Sequence, residues 1–282
     1  MEKIKSIKIP GNRLLVFGGV YSNLEALNAL QEFAAFNGFS PNEIICTGDI
    51  VGYCANPKES LETVAKWGIH SIAGNVELQL KNNEDDCGCD FDENSRCDVF
   101  SKQWYPFAKE RIGENELEFI GQLPEFLKFE FGGINYAVVH GSYFNTSEFI
   151  FKSTPWTAKA RNFEALEADC ILSGHGGIPF YDFNDNKAWI NAGVIGMPAN
   201  DGTTKTWCCV LETTYKDLSV QFHQLKYDNV LAAEKMRKEK LPEAYAKTLE
   251  TGIWDNCDIL PPAETELQGK KLAFNPEIHE KV

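Results

Sequence analysis

A chain of 282 residues, 43% hydrophobic and 12% aromatic with 19 Phe, is long enough to bury a core as one large domain or two small ones, and this composition excludes disordered and fibrous classes. Against 27 Lys and Arg stand 41 Asp and Glu, a net charge of −14, so the field repels phosphate backbones and anionic membranes and argues against nucleic-acid coating or membrane docking. The first apolar run is broken by glycine before it reaches signal-peptide or membrane-spanning length, and the nine cysteines are odd in number and irregularly spaced. Reduced thiols or metal ligands in a cytoplasmic protein are therefore expected, rather than disulfides.

In chain order, short apolar runs alternate with helix-period segments. A strand is predicted over Arg13 to Phe17, a helix over Leu24 to Phe36, a strand over Glu43 to Cys46, a helix over Pro57 to Trp67 and a strand over Ile69 to Ala73. That alternation implies a parallel-type α/β sheet. An acidic insertion at about 83–98 precedes a predicted helix from Asp98 to Ile112. Strands over Glu125 to Phe131 and Ile134 to His140 flank Gly132-Gly133, a hairpin signal. A helix over Pro155 to Ala168 and a strand over Cys170 to Ser173 follow. Phe180 to Phe183, Lys187 to Ile190, Thr204 to Leu211 and Leu218 to Leu225 read as antiparallel strands, which makes the fold a mixed-sheet α/β sandwich flanked by helices. Residues 1–225 are expected to form the main domain. Residues 226–282, with a Lys- and Glu-rich helix to Lys240, a second helix near Pro242 to Thr251 and a Pro-containing tail, are expected to form a helical extension packed on it.

Four loops carry polar residues at the expected C-terminal ends of strands, where open α/β sheets place their sites. They are CTGDIVGY with Asp49, AGNVE with Asn75, VVHGS with His140 and LSGHGG with His175, each with a glycine that permits a tight turn. One carboxylate, one amide oxygen and two imidazoles can hold a divalent transition metal such as Zn, Mn or Fe. Each residue alone also has a structural explanation: a turn cap for Asp49, a helix cap for Asn75, a hydrogen-bonded core position for either histidine. No GxSxG elbow, P-loop or GxGxxG follows a strand, which argues against serine hydrolases, kinases and dinucleotide enzymes.

The order and flanks of these loops, over roughly residues 13 to 225, resemble the calcineurin-like metallophosphoesterase superfamily. Its pattern runs DxH, GDxVGYG, GNHE, a His-Gly pair and GHTHxP; here GDIVGYC, GNVE, VVHGS and GHGGIP stand in that order, followed by INAGVIGMP. The resemblance implies a fold of two mixed sheets and a metal-dependent phosphoesterase acting on a small phosphorylated substrate or phosphate-like anion. It also implies a reduced site. FGGVYSN puts Gly19 at the family's first aspartate and Tyr21 at its histidine, and Gly177 replaces the second histidine of GHTH. Asp49, Asn75, His140 and His175 are then the complete set for one of the two family metals, which implies a single divalent ion. Val76 stands where the family has the histidine that protonates the leaving group.

Three further features bear on chemistry. Cys87, Cys89 and Cys97 lie in the acidic insertion and Cys54 follows Asp49, so a thiolate site is a possible additional metal site, with reduced thiols on a solvated loop as the alternative. GGVYSN enters a helix near Ser22 and Asn23, whose amides offer a possible phosphate cradle or, alternatively, an ordinary helix cap. Two other functions fit the same residues: a catalytically silent binding or regulatory protein of this fold, and an enzyme rebuilt around cysteine ligands.

Overall fold

The computed structural model of the protein describes residues 3–89, 91–214, 217–274 and 278–281; Asp90 of the acidic insertion lies outside them. The first half runs β1 (Ile4–Ser6), β2 (Arg13–Phe17), α1 (Leu24–Phe36), β3 (Ile44–Cys46), α2 (Pro57–Trp67), β4 (His70–Ser71), α3 (Asn75–Asn82), α4 (Arg96–Arg111) and α5 (Glu114–Gln122). Then come β5 (Phe126–Phe131), β6 (Ile134–Val138), α6 (Trp156–Leu166), β7 (Cys170–Ser173), β8 (Phe180–Asn184) and β9 (Lys187–Asn191). The chain ends with β10 (Thr206–Thr214), β11 (Asp217–Leu225), α7 (Asn229–Lys238), α8 (Glu243–Thr251), α9 (Pro262–Thr265) and β12 (Ile278–Lys281).

The strands form two six-stranded mixed sheets, one in the order β1-β5-β6-β7-β9-β8, the other β12-β11-β10-β2-β3-β4. Alternation along single strands shows why they stack in layers. Leu14 and Val16 of β2 pack between the sheets with Leu127, Tyr136, Val138 and Leu172 of the opposite sheet. Leu15 and Phe17 of the same strand face Leu27 and Leu30 of α1 and Leu61 of α2. Likewise Ala137 of β6 and Ile171 of β7 turn outward to Phe163 and Leu166 of α6. Strands with both faces buried need near-continuous apolar runs, as RLLVF and CILS are. The result is helices, sheet, sheet, helices.

The site position follows from the parallel strands. β2, β3 and β4 run parallel in one sheet, and β6, β7 and β9 run parallel in the other. The loops leaving their C-terminal ends emerge on one edge of the sandwich, where the two sheets face each other.

Departures from expectation have local causes. β4 is only two residues long, because the chain already turns toward α3 at Ile72. β1 was not expected: three residues of mixed polarity pair in parallel with β5 at the sheet edge, and their lysine disguises the pattern. α5 was also missed, since its sequence ENELEFIGQ buries only Glu116 and Ile120. Lys187–Asn191 pairs antiparallel with β8 on one side but parallel with β7 on the other. Beyond α8 the tail is not only helical, for β12 adds to β11. Gly132 and Gly133 form the expected hairpin turn with φ of +60° and +80°. Among the described residues no helix is long and apolar enough to cross a membrane.

Leu172, buried between the sheets with no exposed surface, tests this layering. Leu172→Ala is expected to lower the unfolding free energy by about 2–5 kcal/mol in urea titration, as large-to-small core changes do.

Candidate metal centre

Three of the four loop residues converge closely: one ligand atom each from Asp49, His140 and His175, all buried, lies within 4.8 Å of the others. Asp49 sits just past β3 with a left-handed φ of 56°, after Gly48 at φ 95°. A Cβ on Gly48 would come within 2.6 Å of the Gly74 nitrogen and 2.9 Å of His140 Nδ1, so only glycine lets the Asp49 and Asn75 loops close on the imidazole. His140 follows β6, and its Nδ1 faces the Thr47 carbonyl at 2.7 Å. That bond assigns the proton to Nδ1 and leaves Nε2, 3.2 Å from Asp49 Oδ2 and 3.0 Å from His175 Nδ1, as the donor to the centre. The His140 carbonyl in turn accepts from the amides of Gly174 and His175 at 3.0 Å, tying the two histidine loops together.

Asn75, the fourth loop residue, starts α3 and is buried. Its Nδ2 donates to the Cys87 carbonyl at 2.8 Å and approaches Cys89 Sγ at 3.1 Å, which fixes the amide orientation. Its Oδ1 is buried without a hydrogen-bond partner, and so is Nε2 of His175. Buried polar atoms left unpaired cost roughly 1–3 kcal/mol each unless something meets them. A cation does so. The donor set of carboxylate, amide oxygen and two imidazoles therefore fits a divalent transition metal.

Burial pulls the His140 pKa down, but the Asp49 charge, hydrogen bonds to Asp49 and Thr47 and the Glu77 charge outweigh it, so the pKa is raised: Nε2 facing Asp49 is a place for positive charge, which a proton or a metal ion taking the proton's place would supply. Burial and then the neighbouring His140 take His175 down to about 3, which keeps it neutral with its lone pairs available. Burial and the Asp49 charge push Glu77 up to about 7, against the N–H groups of Val51 and Gly74 that favour its ionised form. Two acids share a buried cluster that positive charge relieves.

Glu77 itself was not singled out from the sequence. Fully buried, it accepts the backbone N–H of Asp49 at 2.8 Å, of Val51 at 2.9 Å and of Gly74 at 2.8 Å. The available signal was the spacing from Gly74, at the N-cap of α3, to a glutamate three residues on.

Aromatic rings stand beside Gly19 and Gly177. A Cβ on Gly19 would overlap the ring of Tyr21, which folds back over it, and Tyr21 is buried with φ 52°. Gly18 and Gly19 are held by the INAGVIGMP segment, through Gly18 N to the Gly193 carbonyl and the amides of Ile195 and Gly196 to the Gly19 carbonyl. A Cβ on Gly177 would stand 3.7 Å from the ring of Trp254, in the C-terminal extension. Trp254 is anchored by its Nε1 to the Pro198 carbonyl at 2.7 Å and its backbone N to Asn200 Oδ1 at 2.8 Å. Beside Asp49 and His175 opens a cleft lined by Tyr21, Tyr53, Phe91, Phe149, Tyr245 and Trp254 among others.

The remaining candidates are divided. Cys87 and Cys89 lie with sulfurs 2.8 Å apart next to Asn75, whereas Cys97 lies near Asn256, Sγ to Oδ1 3.5 Å, and Cys54 faces the Gly196 carbonyl at 4.0 Å. Among the described residues, no three of these thiols bring their sulfurs within 4.8 Å of one another. Ser22 and Asn23 have no exposed surface. Ser22 Oγ accepts from Gly52 N at 3.0 Å, while Asn23 caps α1 by accepting from Ala26 N at 3.1 Å and donates to the Gly196 carbonyl at 3.0 Å.

Two mixed sheets that carry a buried carboxylate and imidazole cluster on facing strand-end loops define a metallophosphoesterase-type sandwich. The chain belongs to the calcineurin-like phosphoesterase superfamily, whose domain matches residues 16–216. It is 28% identical over 254 residues to the uncharacterized protein MJ0912 of Methanocaldococcus jannaschii, covering 85% of this chain and 98% of that one. A crystal structure of a metallophosphoesterase from Sphaerobacter thermophilus is 25% identical and superposes with a TM-score of 0.67 over 86% of this chain and 100% of the other. A Pyrococcus horikoshii OT3 protein, PH1004, shares the fold at 21% identity, with a TM-score of 0.70 over 86% of this chain and 99% of that one.

Two outcomes are expected in denaturant unfolding. Glu77→Ala, which strands three buried N–H groups, lowers stability by about 3 kcal/mol or more. Gly19→Asp lowers it by about 1–3 kcal/mol through overpacking against the Tyr21 ring, and the same substitution made in a Tyr21→Ala background costs much less relative to Tyr21→Ala alone, because the clash is with that ring.

Proposed function

We propose that the protein is a phosphoric-ester hydrolase working with one divalent transition metal, held by Asp49, Asn75, His140 and His175. The observation that carries this reading is the buried convergence of Asp49, His140 and His175, whose ligand atoms lie within 4.8 Å of one another, together with the unpartnered Oδ1 of buried Asn75. A metal so held supplies Lewis acidity toward a phosphoryl oxygen. The chain's own residues supply the rest. Thr47 sets the His140 tautomer, the Cys87 carbonyl turns the Asn75 oxygen inward, and Glu77 locks the Asp49 and Asn75 loops. A single-ion site is supported by Gly19 and Gly177, which offer no side-chain ligand, and by the aromatic rings of Tyr21 and Trp254 beside them.

We further propose residues 1–225 as the domain that carries the centre, with the insertion at about 83–98, and residues 226–282 as an extension that roofs the cleft through Tyr245 and Trp254. Nine free thiols suit a reducing, cytoplasmic compartment. One observation favours a silent binding protein instead: Val76, buried against the core, brings no proton donor to the site. The cysteine-ligand reading is weakened by the separate directions of Cys54 and Cys97.

Elemental analysis of protein purified without chelators should give about one Zn, Mn or Fe per chain. Asp49→Ala should remove both the metal and phosphodiester hydrolysis, because it deletes the one carboxylate of the donor set. Two ions per chain would overturn the single-metal reading, and hydrolysis persisting in metal-free Asp49→Ala would overturn the metal mechanism.

A further inference from the structure

We propose that the cleft selects a singly charged phosphodiester of a flat aromatic alcohol, with the phosphate at the metal centre and the ring among Phe91, Phe149, Tyr245 and Trp254. This substrate class rests on the single-metal reading above.

Charge decides the phosphate. A divalent ion beside the Asp49 carboxylate, with neutral amide and imidazole donors, leaves no more than one net positive charge. Among the described residues that line the cleft there is no lysine or arginine. The carboxylate besides Asp49 among them, Asp255, is already engaged by Arg96, whose Nη2 donates to Oδ1 at 2.7 Å. The chain as a whole carries −14. A monoester dianion or a polyphosphate brings more negative charge than this site can match, whereas a diester monoanion brings one.

The walls decide the rest. Phe149 lies against the His175 ring, with centroids 4.3 Å apart, so an aromatic surface begins directly at the centre. Tyr53 packs edge-on against Tyr21 at 4.6 Å and Tyr245 at 4.8 Å, and Trp254 is held by two hydrogen bonds. Rings locked in this way lose little freedom when a second ring stacks on them. The described residues of the lining include no lysine, arginine or uncommitted imidazole to protonate a departing alkoxide, which suits an alcohol that leaves as a stable aryloxide. In the balanced reaction, water adds its oxygen to phosphorus and gives up one proton to solvent, the bond from phosphorus to the aryl oxygen breaks, and the aryloxide takes a proton back from solvent. A phosphomonoester remains.

The test is equilibrium binding to the full-length, metal-loaded protein, followed by tryptophan fluorescence and calorimetry. The probes are diphenyl phosphate, dimethyl phosphate, phenyl phosphate and pyrophosphate, with metal content measured on the same samples. Diphenyl phosphate is expected to bind about tenfold or more tighter than each of the others. Trp254→Ala and, independently, Phe91→Ala should each weaken it about tenfold without changing dimethyl phosphate binding, as loss of one stacking partner entails. Equal affinity for diphenyl and dimethyl phosphate, or preference for phenyl phosphate or pyrophosphate, would overturn the proposal. Asp49→Ala should bind all four more weakly yet keep the diphenyl over dimethyl preference. A parent protein that takes up no Zn, Mn or Fe on saturation would overturn the hydrolase reading, and a diphenyl over dimethyl preference measured in that protein would leave the aromatic selectivity standing.

Discussion

The site depends on one buried carboxylate that is not itself among the candidate ligands. Glu77 gathers the amides of Asp49, Val51 and Gly74, which belong to two separate strand-end loops. Without it, Asp49 would have no reason to hold its left-handed backbone, and Gly74 could not press against the Asp49 side chain as closely as it does. Three charge-assisted bonds to backbone N–H make a stiffer clamp than three separate side chains, since one rigid group fixes both loops at once. The cost is a second acid close to the first, and it is that crowding which makes a cation favourable in the centre.

Gly19 and Gly177, in two of the loops around the centre, each meet an aromatic ring. Gly19 lacks the side chain that would collide with Tyr21, and Tyr21 fills the volume so released. Trp254 arrives from a distant part of the chain, stands 3.7 Å from where a Gly177 Cβ would lie, and is bonded to Pro198 and Asn200 in the segment after β9. An empty space beside the centre would cost packing energy. Here that space holds aromatic surface, so this side of the centre is packed like the core.

Strands buried on both faces are the most legible elements in the sequence, because RLLVF and CILS leave no second interpretation once their flanking turns are recognised. Helix limits are equally plain where the signal is chemical: Asn23 caps α1, and Gly68, at φ 72°, ends α2. Elements stabilised by few buried residues, such as β1 and α5, leave a weak pattern and go unread. The four loop residues stand out as polar groups next to glycine at strand ends. Glu77 does not, because a glutamate in the first turn of a helix usually answers the helix dipole in water, and only the fold reveals that this one is buried. Nor can sequence show which ring covers Gly177, since that contact spans 77 residues of chain.

The acidic cysteine insertion takes its meaning from the same logic. Gly88, at φ +66°, turns the chain tightly enough to put the Cys87 carbonyl and the Cys89 sulfur on one side of the Asn75 amide. Ser147, on the loop after His140, donates to the Gly88 carbonyl, so the turn is braced from the opposite sheet. An amide has two ends that differ only in what they bond, and its oxygen is offered to the centre because its nitrogen is claimed from behind. Farther along, Arg96 at the start of α4 reaches Asp255 and its backbone reaches Asp258, joining the insertion to the tail that carries Trp254. Exposed ion pairs of this kind contribute little energy, but they fix a position. The backbone and thiols of the insertion thus orient Asn75 and fasten the roof of the cleft, while its Glu84, Asp85, Asp86, Asp92 and Glu93 lie exposed to water.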